Sequence, residues 1–197
     1  MSQLALFEVG ALRAVELDEP DLPALQAFFD ANPDYFVTVN GQPPRPDEAR
    51  QEFADRPPAG LRFERCWSLG FVDEAGSLVG MASLLSDFLA DGVWHISLFI
   101  VATSLHGSGI AATLYHGLEA WMARRGAAWI RLGAVLGNTR AERFWGRMGY
   151  TEVRRRFDVP TGARTNTIRV FVKPLEAGTL ADYLQLVERD RPDSRLP

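Results

Sequence analysis

Two glycines at the start of a helix are the first chemical signal in this chain. In "LHGSGIAATLYHGLEAW" (105–121), Gly107 and Gly109 flank Ser108, and apolar residues follow at Ile110, Leu114, Leu118, Trp121 and, just beyond, Met122. That spacing is helical. Glycine weakens a helix and no acidic cap precedes this one, so the turn fits a helix whose free N–H groups are capped from outside, by an anion. Further along, Asn138 opens a second helix in "NTRAERFWGRM", and His95 and Ser97 lie on an apolar strand ahead of the glycines.

Three phosphate-binding patterns compete for the glycine turn. A Walker loop requires Lys-Ser/Thr after its last glycine, but Ile110-Ala111 follow Gly109. A dinucleotide fingerprint matches formally as Gly107, Gly109 and Ala112, but the next strand, "AWIRLGAV", lacks the acid that would hold a ribose. A nicotinamide-binding protein therefore stays as a rival reading.

The third pattern uses more of the chain. A strand, "HGSGIA" (His106 to Ala111), an amphipathic helix, a buried strand and then "NTRAERFWGRMGY" together resemble the GNAT acyltransferase superfamily. His106-Gly107-Ser108-Gly109-Ile110-Ala111 is similar to its Gln/Arg-x-x-Gly-x-Gly/Ala signature. Asn138, Ala141, Phe144, Trp145, Gly149 and Tyr150 are similar to its second one. The detailed resemblance covers 93–150. It implies acetyl-CoA as cosubstrate, with its pyrophosphate on residues 106–112. Phe99, Ile100 and Val101 would pair with the pantetheine arm, and Asn138 and Trp145 would lie beside the cofactor. Arg140 and Arg143 would meet the 3′-phosphate or simply form a solvated helix face. Asn138 has the alternative of being a helix cap, although Thr139 and Glu142 stand at capping-box spacing.

The resemblance also implies direct acyl transfer to an amine, which calls for a proton acceptor and a proton donor. The family's usual tyrosine donor is replaced by Trp145, whose indole holds its proton at neutral pH; Tyr35, Ser97 or a water would stand in. For the base, some relatives carry a glutamate where this chain has His95, and others where it has Gly133. His95 has an ordinary pKa suited to the task and would share a strand face with Ser97 and Phe99. A histidine hydrogen-bonded at the strand start is its other reading. Tyr35 and Phe36 would line the acceptor site. The departures at Trp145 and Gly133 keep a catalytically silent acyl-CoA-binding module as an alternative.

The elements that must position these residues follow from pattern. A strand at 11–17 precedes a helix that stops at Asn32-Pro33. Prolines punctuate an irregular stretch around a short acidic helix, 46–56. A hairpin turns at Asp73–Gly76, a buried strand spans the 92–103 region, and strands and helices alternate to a closing strand pair. The tail, 177–190, reads as one amphipathic helix. The expected fold is a mixed α/β (α+β) acyltransferase domain over 1–197. Its mostly antiparallel sheet is flanked by helices and splayed at the cofactor site.

Bulk properties agree. In 197 residues, 47% are hydrophobic and 23% charged, as in ordinary globular proteins. The single cysteine, Cys66, excludes an internal disulfide framework, and no Cys/His cluster has zinc spacing. A reducing cytoplasm is expected, with no signal peptide and no membrane span. The net charge of −4 argues against nucleic acid. Residues 1–64 hold twelve Asp/Glu against five Arg, a net −7 that leaves +3 for the rest. An acidic front suggests a cationic small amine or a peptide N-terminus as acceptor. A homodimer is expected by analogy only.

Overall fold

The computed structural model describes residues 4–176 and 178–196. An N-terminal hairpin, β1 (Phe7–Val9) and β2 (Leu12–Glu16), turns at Gly10 with φ +59°. The sequence pattern predicts only β2; three residues are too few for β1 to print an alternating pattern. A 3-10 turn leads into α1 (Leu22–Ala31), which ends at Asn32-Pro33 as its proline dictates. α2 (Asp34–Asn40) is a helix where the pattern predicts an irregular segment. Its aromatic and β-branched residues favour strand. Burial of Phe36 against Phe29, rings 5.0 Å apart, overrides that preference, and Gly41 ends the helix at φ +79°. α3 (Glu48–Ala54) is the short acidic helix.

The remaining elements are β3 (Arg65–Val72), β4 (Leu78–Ser86), β5 (Val93–Val101), α4 (Ile110–Ala123), β6 (Trp129–Val135), α5 (Thr139–Arg147), β7 (Thr151–Thr161), β8 (Arg164–Pro174) and α6 (Leu180–Leu186). One eight-stranded sheet forms in the order β1-β2-β3-β4-β5-β6-β8-β7. Among the described residues only β5 and β6 pair in parallel, joined by the α4 crossover. α4 packs on one face, burying Leu114, Tyr115, Leu118 and Trp121 against Leu69, Phe71, Trp94 and Ile96. α1 and α2 cover the other, with Leu25, Phe28, Phe29 and Phe36 on Val15, Met81, Leu98 and Ile100.

Two departures from regularity shape the site. β5 and β6 are paired only from Val93↔Trp129 to Ile96↔Leu132, and beyond that point they separate. β5 also carries a bulge: Leu84 faces Ile96 and Ser83 faces Leu98, which leaves Ser97 unpaired with β4. The extra residue reverses the alternation of side chains. Trp94 and Ile96 before it and Phe99 and Val101 after it all face α4, whereas Leu98 and Ile100 face α1. His95, Ser97 and Phe99 therefore do not share a face, contrary to the simple period-2 reading.

The tail also differs from expectation. α6 stops at Leu186, and a 3-10 turn at Glu188–Asp190 replaces its last part. The turn carries Asp190 inward, where it accepts from Arg131 (2.6 and 3.1 Å) and from the Tyr183 hydroxyl (2.5 Å). Ala177, the first residue of the expected helix, and residues 1–3 lie outside the described residues.

Candidate active site

A cavity of about 810 Å³ passes through the gap between β5 and β6. Phe99 and Trp145 line it from the α4 side of the sheet, and Asn32 and Tyr35 from the α1–α2 side. Only the loss of β5–β6 pairing makes such a passage possible.

At one end lie Gly107, Gly109, Ala111 and Ala112. Gly109 caps α4 at φ +89° and Gly107 has φ +82°, conformations that glycine alone adopts readily. A β-carbon at either would meet no protein atom within 4 Å, so this turn is not glycine-rich for packing. The N–H groups of Gly107, Gly109 and Ala111 find no acceptor among the described residues. Three donors at alternate positions, at the N-terminus of a long helix and on a cavity wall, are the groups that an anion such as a pyrophosphate requires.

The neighbours of this turn are ordered by hydrogen bonds. His106 donates from Nε2 to the Val101 carbonyl (3.0 Å) and accepts at Nδ1 from Arg140 (2.8 Å). This carbonyl already serves the turn, so among Phe99, Ile100 and Val101 it is the one least available to a ligand. Arg140 lines the cavity and also lies 3.9 Å from the Asp34 carboxylate. Ser108, bonded to the Leu105 carbonyl, does not line the cavity; neither do Ile110, which packs into the core, and Arg143, which is exposed.

The second motif has mixed duties. Asn138 lines the cavity and is also the cap of α5, accepting from the Ala141 N–H at 3.2 Å. The expected Thr139–Glu142 capping box does not form, because Glu142 instead accepts from the Gly137 N–H (3.1 Å). Phe144 and Trp145 line the cavity, with Phe99 stacked on Phe144 at 5.9 Å and Trp145 buried against Tyr115 and Tyr150. Tyr150 itself is buried, its hydroxyl hydrogen-bonded to that of Tyr115 at 3.1 Å, a structural role.

A second cavity, about 460 Å³, lies on the other side of the β5 bulge. Glu52 of α3, Ser83, Ser97 and His95 line it, with Arg131, Arg156 and Arg189 on its far wall. Glu52 accepts from the Ser83 hydroxyl at 2.7 Å, and Ser83 faces Leu98, next to the bulge. Burial pushes the Glu52 carboxyl above its ordinary range, and Asp55 and Glu48 push the same way against the opposing Ser83 hydrogen bond. Tyr35 feels the charge of Glu52 on the smaller cavity but lies on the other one. It lines the larger one, and burial together with Glu52 and Glu48 holds its hydroxyl well above the usual tyrosine range, so it keeps its proton. Phe36 does not line either cavity; it is buried among α1 and the sheet.

His95 does not have the expected pKa. Burial, reinforced by the Arg131 charge, lowers it to about 3. The ring stacks on Phe88 and its Nδ1 lies 3.1 Å from the Arg131 carbonyl oxygen, to which the neutral ring donates. Arg131 Nη1 lies 3.3 Å from the same nitrogen. Nδ1 cannot donate to the carbonyl and accept from the guanidinium at once, and the shorter contact makes it the donor to the carbonyl. His95 is thus the hydrogen-bonded strand histidine, too weak a base for an ammonium. Gly133 offers no substitute. Cys66 is half-buried with its thiol pushed up by burial, consistent with an unreactive residue.

Sequence pattern missed Glu52 and the arginines. Glu52 sits in a seven-residue helix, too short for a readable period, among carboxylates that look solvated. Arg131, Arg156 and Arg189 lie 25 and 33 residues apart, and only the β6-β8-β7 order and the tail turn bring them to one wall. Of the twelve acidic residues in 1–64, only Glu52 and Asp55 reach this cavity. No helix among the described residues is long and apolar enough to cross a membrane, and none of their His, Cys, Asp and Glu groups forms a metal-binding cluster.

The geometry agrees with known proteins. The model of the acetyltransferase (GNAT) family matches residues 22–150. An acetyltransferase from Thermus thermophilus superposes with a TM-score of 0.66 at 16% identity, over 87% of this chain and 100% of that one. A GCN5-related N-acetyltransferase from Kribbella flavida gives 0.61 at 21% identity, over 85% and 100%. The spermidine N-acetyltransferase of Vibrio cholerae, solved with CoA and spermine, gives 0.63 at 15% identity, over 84% and 96%. At such identities the likeness is one of fold. No curated protein matches the chain in sequence.

Proposed function

The chain belongs to the acetyltransferase (GNAT) family, a family of acyl-CoA-dependent acyltransferases, and from that premise we propose that it transfers an acetyl group from acetyl-CoA directly to a primary amine. The observation that carries this reading is the row of N–H groups on Gly107, Gly109 and Ala111, on the wall of a cavity that Phe99 and Ile100, just beyond the β5 bulge, also line. The whole of 1–197 acts as one acyltransferase unit in this proposal, because the tail turn supplies Arg189 to the acceptor cavity.

Acetyl-CoA supplies the acetyl thioester. The glycine turn holds its pyrophosphate, Phe99 and Ile100 border the arm, and Asn138, Arg140, Phe144 and Trp145 line the space beside it. Glu52 takes the proton from the incoming ammonium, so that a neutral amine reaches the acyl carbon. Its raised pKa brings it closer to that of its proton donor than an ordinary carboxylate would be. In this reading the carbonyl oxygen is received by a backbone N–H at the β5 bulge, where the register with β4 shifts. The Tyr35 hydroxyl relays the remaining proton: it gives its own to the leaving sulfur as it takes one from the attacking nitrogen, so no phenolate is left. The products are an amide and the free thiol, with the proton of the ammonium on Glu52. A carboxylate so placed favours catalysis over a silent binding module.

The test follows thiol release and product mass with acetyl-CoA and a panel of primary amines. One acetyl gained per thiol released is expected. Hydrolysis of acetyl-CoA without amide, or no thiol at all with any amine, would contradict the reading.

A further inference from the structure

The acceptor cavity is charged differently at its two ends. Glu52 lies over β4 through its bond to Ser83, whereas Arg131 stands on β6, two strands away and about 10 Å across the sheet. β5, with Ser97 and His95, runs between them. Arg156 and Arg189 reach the β6 side from β7 and from the tail turn. Arg131 is already neutralised: Asp190, fully buried, takes its Nε and Nη2. Arg156 is not. Among the described residues it forms no hydrogen bond or ion pair, although it is half-buried on the cavity wall.

The other cations around Arg156 have partners of their own. Arg154 donates to the carbonyls of Arg189 and Leu196. Arg56, on the opposite rim, donates to the carbonyls of Phe53 and Asp55. Asp55 and Glu52 are the acids on the cavity lining, and both belong to the α3 end. Arg131 and Arg154 therefore set like charges against Arg156, opposed by Asp190, which is already bonded to Arg131. Burial and the charges of Arg131 and Arg154 lower the Arg156 pKa, the signature of a guanidinium short of an anion. A polycation entering this cavity would meet those like charges, whereas an oxyanion would relieve them.

We propose that the acceptor is a small primary amine that also carries an oxyanion, a carboxylate or a phosphate. Its amine sits at Glu52 beside the bulge, and its oxyanion sits on Arg156 against the β6 wall. This deepens the acetyltransferase reading and rests on it. It also replaces the purely cationic acceptor suggested by the acidic front of the sequence. Guanidinium and oxyanion match in shape and charge, so one planar fork can fix both position and orientation of the amine.

The test compares matched pairs in the full chain: L-methionine with 3-(methylthio)propylamine, L-phenylalanine with phenethylamine, and O-phosphoethanolamine with ethanolamine. Spermidine is added as a polycation. Acetyl-CoA binding is measured separately by calorimetry. At least one oxyanion-bearing amine should exceed its partner in kcat/KM by about tenfold or more, with the first two pairs reporting carboxylate and the third phosphate. Arg156→Gln should raise KM for the oxyanion-bearing member by about tenfold to a hundredfold, the worth of a charge-assisted hydrogen bond, and leave its partner unchanged. Arg156→Lys should restore part of the loss. Preference for the uncharged partners or for spermidine would overturn the inference. So would turnover of neither member of any pair, or equal effects of Arg156→Gln on both. If these occur with acetyl-CoA still binding, only the acceptor assignment fails. Absence of acetyl-CoA binding would instead remove the reading beneath it.

Discussion

Replacing Glu52 by glutamine separates proton transfer from everything else this side chain does. Glutamine keeps the shape and can still accept from the Ser83 hydroxyl, the hydrogen bond that the Glu52 carboxylate makes at 2.7 Å among the described residues. Glu52 does not line the larger cavity, so acetyl-CoA affinity should change less than about twofold. What disappears is the base. General-base catalysis contributes about 10²–10⁴-fold, equal to roughly 2.7–5.4 kcal/mol of barrier at 1.36 kcal/mol per decade. Steady-state thiol release from pH 6 to 9.5 should show a kcat/KM deficit of that size at neutral pH. The deficit should narrow as the amine approaches its own pKa and arrives already neutral. Stability moves the opposite way. The Glu52 pKa is raised in the folded state, so ionisation disfavours folding. Wild type is therefore penalised at pH above the folded value, and the penalty vanishes below the unfolded carboxyl value of about 4.3. The variant should melt higher than wild type at pH 8, and the two should converge as pH falls below 4. A kcat/KM within threefold of wild type across the whole range would refute Glu52 as the base. Equal melting at every pH would refute its burial as a charge.

Other perturbations read other parts of the site. Tyr35→Phe removes the hydroxyl that lines the cofactor cavity near Glu52 and should lower kcat about tenfold to a hundredfold, with little change in acetyl-CoA affinity measured by titration calorimetry. His95→Gln should leave the pH–rate profile between 6 and 9 unchanged, because a group titrating at about 3 stays neutral throughout that range. Asp190→Ala leaves Arg131 buried without its carboxylate and should cost about 3–5 kcal/mol, a fall of roughly 6–20 °C in melting temperature. Burial would raise the Asp190 pKa, but Arg131 overrides it and holds the carboxyl low. Its contribution is therefore fully present above the unfolded value and is lost as pH falls through the folded one.

Local signals in the sequence were enough where function and backbone coincide. Gly107 and Gly109 are legible because their positive φ values and the unpaired N–H groups, among the described residues, lie next to each other in the chain. The helix stop at Asn32-Pro33 and the β3–β4 hairpin are equally local. The bulge at Ser97 is not, because an extra residue in a strand of uniformly apolar type leaves no trace in an alternating pattern, and it moved Phe99 to the other face. Asn138 was legible as important but not in its duty; the Gly137 N–H drew Glu142 away and left the cap to Asn138. The acceptor wall was invisible for a topological reason. Arg156 and Arg189 come from a strand beyond the sheet's partner order and from a tail turn, so their meeting depends on the β8-β7 hairpin and on Asp190 anchoring the chain end.

Titration calorimetry of acetyl-CoA into wild type and Gly109→Val tests the central assignment most directly. The valine β-carbon would stand in open space within the protein, so any loss of binding reports on the ligand's path and on the left-handed cap rather than on a core clash. Far-UV circular dichroism and melting of the variant separate the two contributions, since a left-handed non-glycine residue costs about 1–2 kcal/mol of stability. Wild type should bind one to one. A folded variant should lose at least tenfold in affinity. Absence of binding to wild type, or equal affinity in both proteins, would contradict the pyrophosphate site at the glycine turn.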